Sequence, residues 1–364
     1  MSRVAVLAAG GTGGHLFPAQ ALAETLTARG WRVVLATDQR GAQYAHEFPA
    51  EERLALDAAT ASNPVQMIGA GFKILSGVGQ ARKAYGRLDP SVVVGFGGYP
   101  SLPALLAAVS QGRPTVIHEQ NAVLGRSNRV LARWAKKVAA AFPTLERAPA
   151  ALKPRIEVVG NPVRADIRAL HDRAFSAGEG RLHVLVTGGS QGARILSETA
   201  PRALAQVAER LRDRLHVHQQ SRAELLDSAR EIYADAAIQS EVAPFFRDMA
   251  SRLSQAHLVI GRAGASTCSE LAVAGVPSIL IPLKIATDDH QRLNAKALVD
   301  AGAATMILED DVTVDRLSEA IQAMLDDGVA LERRAAAARS VGIPDAAERL
   351  ADLVEATARP ARGN

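Results

Sequence analysis

The sequence predicts an α/β protein built from two doubly wound parallel sheets of Rossmann type. Two observations carry that prediction. Short runs of small and β-branched apolar residues alternate with segments of helical periodicity along the 364 residues, the pattern expected where helices cover both faces of a parallel sheet. Three of those runs turn at once into glycine-rich loops, and one such loop opens each half of the chain. A strand that passes through glycines into a helix presents unpaired backbone N–H groups at the helix N-terminus, which suits phosphate. A chain of this length is long for one domain and comfortable for two.

Taken in order, Val4-Ala5-Val6-Leu7 is the first buried strand and leads into Gly10-Gly11-Thr12-Gly13-Gly14-His15. Pro18 is expected to open the next helix, which carries Ala19, Leu22, Ala23 and Leu26 and closes at Gly30. A second strand falls at 33–36, and Val92-Val93-Val94 leads into Gly95-Phe96-Gly97-Gly98-Tyr99. Residues 115–118 and 138–141 complete the strands of the first half, and Glu157-Val158-Val159 ends it. The second half repeats the plan. Residues 182–186 lead into Gly188-Gly189-Ser190-Gln191-Gly192, and Ile195, Leu196, Leu204, Val207 and Leu211 follow at helical spacing. Residues 258–260 and 278–281 are further strands, with a short helix at 266–274 between them, stopped by Gly275. The polar stretch 166–181 marks the passage between halves, so the domains are set at 1–163 and 164–343. The helical tail, 344–364, outlasts the second pattern and is expected to pack back on the first domain.

The single cysteine, Cys268, excludes an internal disulfide and fits a reducing compartment. No stretch approaches the roughly 20 apolar residues of a membrane span, and a strand at residue 4 makes the N-terminus a poor signal peptide. The net charge of +4 hides an asymmetry: residues 1–160 hold 18 Lys+Arg against 10 Asp+Glu, and the remainder 24 against 28. Two long stretches lack acids altogether. One carries Lys73, Arg82, Lys83 and Arg87, the other Arg126, Arg129, Arg133, Lys136 and Lys137. A solvated face with anionic substrates explains them plainly; an anionic membrane surface explains them more sharply, with Ile74, Leu75, Val78, Tyr85 and Leu88 as the apolar side of a surface-lying helix. Nucleic acid is not expected, because aromatics make up 4% of the chain and do not interleave with the basic residues.

The chemistry-bearing residues gather at the loops. The first loop is neither a dinucleotide fingerprint, since Leu16 stands where a glycine is needed, nor a P-loop, since no lysine follows. It reads as a tight turn, or as a site where His15 meets a substrate hydroxyl. Ser190 and its glycine neighbours suit a diphosphate, with Arg164 as a fixed positive charge or as an interdomain ion pair. Glu270 suits a ribose, or complements a helix dipole. His290-Gln291 reads as a cap or a ligand contact. His118-Glu119-Gln120-Asn121 places four polar residues at a strand's carboxyl end, where α/β folds hold their sites. The acidic runs Asp288-Asp289-His290 and Glu309-Asp310-Asp311 lack the spacing of a divalent-metal site, so no metal and no cofactor is expected.

Taken together, Gly10-Gly11-Thr12-Gly13-Gly14-His15, Gly97-Gly98-Tyr99, His118-Glu119-Gln120-Asn121, Gly160-Asn161-Pro162-Val163-Arg164, Gly188-Gly189-Ser190-Gln191-Gly192, Phe246-Arg247-Asp248-Met249-Ala250, Glu270-Leu271 and His290-Gln291 closely resemble the MurG family of bacterial N-acetylglucosaminyltransferases. The resemblance implies a GT-B architecture, two Rossmann-like domains facing a central cleft. It also implies inverting transfer of GlcNAc from UDP-GlcNAc to the C4 hydroxyl of undecaprenyl-pyrophosphoryl-MurNAc-pentapeptide (lipid I), a step of peptidoglycan synthesis at the cytoplasmic face of the cell membrane. A UDP-GlcNAc 2-epimerase of the same fold is the alternative. By motif, donor contacts fall on Thr12, Gly13, Gly14, Asn121, Arg164, Ser190, Phe246, Ala265, Ser266, Thr267, Cys268, Ser269, Glu270 and Gln291, and acceptor contacts on Gly97, Gly98 and Tyr99. His15 is the expected general base and Glu119 the reserve. Expected partners are the two substrates, an anionic membrane surface and other cell-wall synthesis proteins.

Overall fold

The computed structural model describes residues 3–10, 13–38, 48–59, 64–178, 180–189 and 192–360. The chain divides into two compact units, Met1–Arg164 with Asp345–Asn364, and Ala165–Pro344. The first holds β1 (Val4–Ala8), β2 (Arg32–Thr37), β3 (Glu52–Ala55), β4 (Val92–Gly95), β5 (Thr115–Glu119), β6 (Lys137–Ala140) and β7 (Ile156–Val158). They form a parallel sheet in the order β3-β2-β1-β4-β5-β6-β7. The second holds β8 (Leu182–Thr187), β9 (Leu215–Gln220), β10 (Gln239–Ala243), β11 (Leu258–Gly261), β12 (Ser278–Leu280) and β13 (Ala304–Met306), also parallel, in the order β10-β9-β8-β11-β12-β13.

Both sheets wind outward from their first strand, then reverse and continue on its other side. The loops after β1 and β4, and those after β8 and β11, therefore flank the point of reversal, where the connections leave in opposite directions and a crevice opens. Helices cover both faces, so every residue of β1 and β4 is buried.

Two helices differ from expectation. The first runs Gly13–Ala28, so Pro18 lies inside it rather than at its start. So close to the N-terminus, proline forfeits only the bond to the Gly14 carbonyl. In the second half the helix Arg194–Ala205 ends before Val207, and Leu211 belongs to a separate turn, Glu209–Arg212. The amphipathic segment forms the helix Pro64–Leu88, but its apolar residues divide. Tyr85 and Leu88 are core, and the Tyr85 hydroxyl donates to the Ala104 carbonyl at 3.2 Å. Phe72 and Leu75 face solvent, at 71% and 67% exposure. Residues 78, 81, 85 and 88 share one stripe at three-to-four-residue spacing and take the sheet face.

The last helix, Ala346–Thr357, belongs to the first unit, where Leu350, Ala351, Leu353 and Val354 join Leu22, Leu26 and Trp31 in one core. Glu355 fastens it. Its carboxylate accepts from Trp31 Nε1 at 2.7 Å, Arg29 Nη1 at 2.9 Å and Arg3 Nη2 at 3.1 Å. Burial works against the charge, but the bonds from Trp31 and Arg29 outweigh it and hold the carboxyl below the usual glutamate range. Replacing Glu355 by Ala leaves the indole donor unmatched, so a loss of roughly 1–3 kcal/mol is expected in thermal unfolding. Glu355→Gln, which keeps an acceptor for Trp31, should lose less; equal losses would remove the hydrogen bond from the account.

Candidate active site

In the first unit the predicted residues converge at the carboxyl edge of the sheet. Gly13, Gly14 and His15 begin the helix after β1, Gly97 and Gly98 turn after β4, and Glu119 closes β5. Gly97 and Gly98 take φ +84° and +71°, conformations that favour glycine, and a Cβ on Gly98 would lie 3.6–3.7 Å from the His15 ring. The imidazole packs against that turn. Tyr99 points elsewhere and donates to Asp38 Oδ2 at 2.8 Å. Thr12 lies outside the described residues.

A chain of hydrogen bonds sets the tautomer of His15. The Gly160 carbonyl can only accept, so His118 Nε2, 2.9 Å away, carries the proton. His118 is fully buried, and that burial drives its pKa down to about 4, so the ring is neutral and Nδ1 holds a lone pair. Gln120 Nε2 donates to that Nδ1 at 3.1 Å and to the Phe96 carbonyl at 2.9 Å. Two acceptors on the amide nitrogen fix the amide's orientation and aim Oε1 at His15 Nδ1, 3.2 Å away. His15 Nδ1 then donates, which leaves its Nε2 as the acceptor.

Glu119, also predicted as a base, is only 2% exposed and fully engaged. One oxygen accepts from the Asn121 backbone N–H at 3.1 Å and from Asn121 Nδ2 at 3.2 Å; the other accepts from the Gly125 N–H at 2.9 Å and Asn128 Nδ2 at 2.8 Å. Four donors leave little for a substrate proton. Arg164 ends the first unit with its guanidinium 5.5 Å over the Phe17 ring. Asn161 belongs to the Gly160–Arg164 motif with no role assigned to it, and its buried side-chain amide has no hydrogen-bond partner among the described residues.

In the second unit, Gly188 admits no side chain, since a Cβ would come within 2.2 Å of the Ala193 nitrogen. Gly189 and Gly192 take φ +77° and +69°. The turn is held from beneath by Gln220, which accepts from Thr187 Oγ1 at 2.9 Å and donates to the Gly189 carbonyl at 2.9 Å. Ser190 lies outside the described residues. After β11, the helix Ala265–Ala274 starts at Gly264 with no side-chain cap, so its first N–H groups stay available to an anion. Ser266 Oγ is buried there without a hydrogen-bond partner among the described residues, Thr267 and Ser269 are half-buried, and Cys268 is core, its thiol pushed up to about 12 by burial. Glu270 falls on the second turn of that helix, half-buried. Gln291 uses its oxygen to accept from the Leu283 N–H at 3.0 Å, which ties down the loop before it. Phe246 stands apart, beyond β10, with its ring buried and Arg252 stacked 3.7 Å above it.

Two Rossmann-like units, each with glycine turns at the carboxyl edge of its sheet, have the GT-B build of nucleotide-sugar glycosyltransferases. The glycosyltransferase family 28 N-terminal and C-terminal domains match residues 5–140 and 183–350, so the chain belongs to that family. It is 65% identical, over 99% of its length and all of the relative's, to the UDP-N-acetylglucosamine–N-acetylmuramyl-(pentapeptide) pyrophosphoryl-undecaprenol N-acetylglucosamine transferase of Caulobacter vibrioides. The crystal structure of Acinetobacter baumannii MurG superposes with a TM-score of 0.81 at 34% identity, covering 98% of this chain and 100% of that one. A UDP-N-acetylglucosamine 2-epimerase superposes with a TM-score of 0.66 at 13% identity over 96% and 95% of the two chains, a likeness of fold alone.

The buried His118 makes stability depend on pH. Between the ordinary histidine value of 6.5 and about 4, the unfolded chain binds a proton that folded His118 refuses. Its contribution is therefore whole above that window, declines as pH falls through it and levels off below. The decline is on the order of 3 kcal/mol. Urea unfolding of wild type and His118→Asn at about pH 7.5 and about pH 4.5 should show the gap between them narrowing at the lower pH. A gap independent of pH would remove the neutral imidazole from the relay.

Proposed function

We propose that this chain transfers N-acetylglucosamine from UDP-N-acetylglucosamine to the C4 hydroxyl of undecaprenyl-pyrophosphoryl-N-acetylmuramoyl pentapeptide, inverting the configuration at the sugar's C1. The observation that carries the chemistry is the relay from Gly160 through His118 and Gln120, which leaves His15 Nε2 with its lone pair beside the Gly97-Gly98 turn. His15 Nε2 takes the proton from the acceptor's C4 hydroxyl, and the oxygen attacks C1 from the face opposite the leaving group. The bond from C1 to the β-phosphate oxygen breaks as the new bond forms, and UDP leaves with the electron pair.

The donor's diphosphate goes to the Gly188–Gly192 turn, with Ser190 assigned on its motif, and to the N-terminal N–H groups of the Ala265–Ala274 helix. Arg164 supplies fixed positive charge, Glu270 takes the ribose hydroxyls, and Gln291 shapes the loop beside them. Phe246 meets the base through its backbone, its ring being held by Arg252. Gly13, Gly14 and Asn121 add donor contacts, while the backbone of Gly97, Gly98 and Tyr99 serves the acceptor's pyrophosphate, the Tyr99 hydroxyl being held by Asp38. Glu119 acts as a positioning residue that braces the 120–125 loop through its four hydrogen bonds.

Incubated with UDP-N-acetylglucosamine, the protein should release UDP only when a lipid I analogue is present. His15→Ala should lower kcat by about 10²–10⁴-fold with little change in donor KM. Near-normal turnover in His15→Ala would sink the base assignment; N-acetylmannosamine formed without acceptor would instead make the protein an epimerase.

The reaction is placed at the cytoplasmic face of the membrane, with the protein bound peripherally. No described helix is long and apolar enough to cross a membrane. Exposed Phe72 and Leu75 flank exposed Lys73 on the Pro64–Leu88 helix, and exposed Trp134 lies between Arg133 and Lys136. Each basic residue near an anionic surface adds about 1 kcal/mol of attraction, and the apolar side chains add insertion. Co-sedimentation with vesicles should rise with anionic lipid content and fall with salt, and Phe72→Ser/Leu75→Ser should weaken the salt-resistant part. Binding indifferent to lipid charge would rule out the electrostatic half of this account.

A further inference from the structure

We infer that the second unit carries a three-histidine site for a divalent transition metal, of which Zn²⁺ is the best match, formed by His183, His216 and His218. His216 and His218 are alternate residues of β9 and share one face of the sheet. His183 on β8 is the cross-strand partner of His216. One ring nitrogen from each lies within 4.8 Å of the other two. Tetrahedral zinc with nitrogen ligands at 2.0–2.1 Å sets those nitrogens about 3.4 Å apart, so modest side-chain rotations complete the site and solvent supplies the fourth ligand.

The surroundings are those of a ligand set. His183 Nδ1 and His216 Nδ1 are buried without a hydrogen-bond partner among the described residues. Glu241, paired with His218 across β9 and β10, lies 3.3 Å from His218 Nδ1, where a carboxylate orients a metal-bound imidazole through its other nitrogen. In the metal-free protein Arg252 Nη1 donates to His218 Nδ1 at 2.7 Å, so Nε2 carries the ring proton, and the guanidinium's charge is met by Glu241 at 2.8 and 2.9 Å and by Asp248 at 2.9 Å. Metal binding at His218 Nε2 therefore displaces the ring proton to Nδ1, which exchanges Arg252 for Glu241 as its partner. A cavity of about 290 Å³ lined by His183, His257, Phe175 and Leu253 gives solvent a path to the cluster.

His183 is the second residue of β8, and the glycine turn begins at Gly188, roughly 16 Å further along an extended strand. The site is thus separate from the diphosphate turn and stands whether or not the proposed reaction does. Arg252 is stacked on Phe246 at one end and touches His218 at the other.

The test uses untagged full-length protein stripped with EDTA. Titration with Co²⁺ should give a tetrahedral ligand-field absorption saturating at one equivalent and abolished by Zn²⁺. Zn²⁺ should raise the Tm of wild type and leave that of His183→Gln/His216→Gln/His218→Gln unchanged. Absence of the cobalt band in wild type overturns the inference, as does equal uptake by wild type and the triple variant. Should the triple variant fail to fold, His216→Gln decides: weaker cobalt binding supports the site, and unchanged spectrum and affinity overturn it.

Discussion

A backbone carbonyl cannot donate a hydrogen bond, and the polarity of the hydrogen-bond chain at the carboxyl edge of the first unit's sheet follows from that constraint at Gly160. The Gly160 oxygen forces the proton of His118 onto Nε2, the buried ring stays neutral, and Gln120 must then turn its amide nitrogen inward and its oxygen toward His15. The same amide closes on the Phe96 carbonyl. One chain of bonds thus joins the ends of β4, β5 and β7 to the first helix, and each link removes a freedom from the next. Every member is buried or half-buried, so an unmatched donor or acceptor would cost about 1–3 kcal/mol, enough to hold the network in one arrangement.

The second unit braces its glycine turn by the same kind of device. Gln220 binds Thr187 with its oxygen and the Gly189 carbonyl with its nitrogen, so a glutamine again translates the end of one strand into the orientation of a neighbouring loop. Glu119 does for the 120–125 loop what Gln220 does for the glycine turn. Its two oxygens are occupied by four donors, whereas His15 keeps a ring nitrogen beside the Gly97-Gly98 turn. Rigid supports of this sort are what electrostatic catalysis requires, since donors must be aimed before charge develops.

Charge is handled differently in the two units. In the first, basic residues of the Pro64–Leu88 helix and the 126–137 segment reach solvent beside exposed apolar side chains, whereas Arg113 and Arg29 are drawn into ion pairs with Asp89 and Glu355. In the second, Arg262 is buried and paired with Glu309, and Arg252 is shared among two carboxylates, an aromatic face and the histidine cluster. A buried guanidinium is tolerable only when its donors are matched, and both arginines meet that condition.

The local features were legible in the sequence because they follow from adjacent residues. Strand runs alternating with helical periodicity specify parallel sheets, glycines at 97, 98, 189 and 192 take the positive φ values their turns need, and the spaced motifs identify the family. Where the patterns failed, a local rule met a competing one: Pro18 entered a helix that the glycines had already begun, and the Pro64–Leu88 stripe was divided by the sheet it packs on. The tertiary structure alone decided which polar groups meet. His15 and Gln120 are 105 residues apart, His118 and Gly160 are 42 apart, and no periodicity links them. The histidine cluster shows the same limit, since the His216-Val217-His218 alternation was visible in the chain but its third member depended on the register of β8 against β9. Hydrogen bonding and metal ligation act over about 3 Å, and only the folded chain brings residues so distant in sequence within that reach.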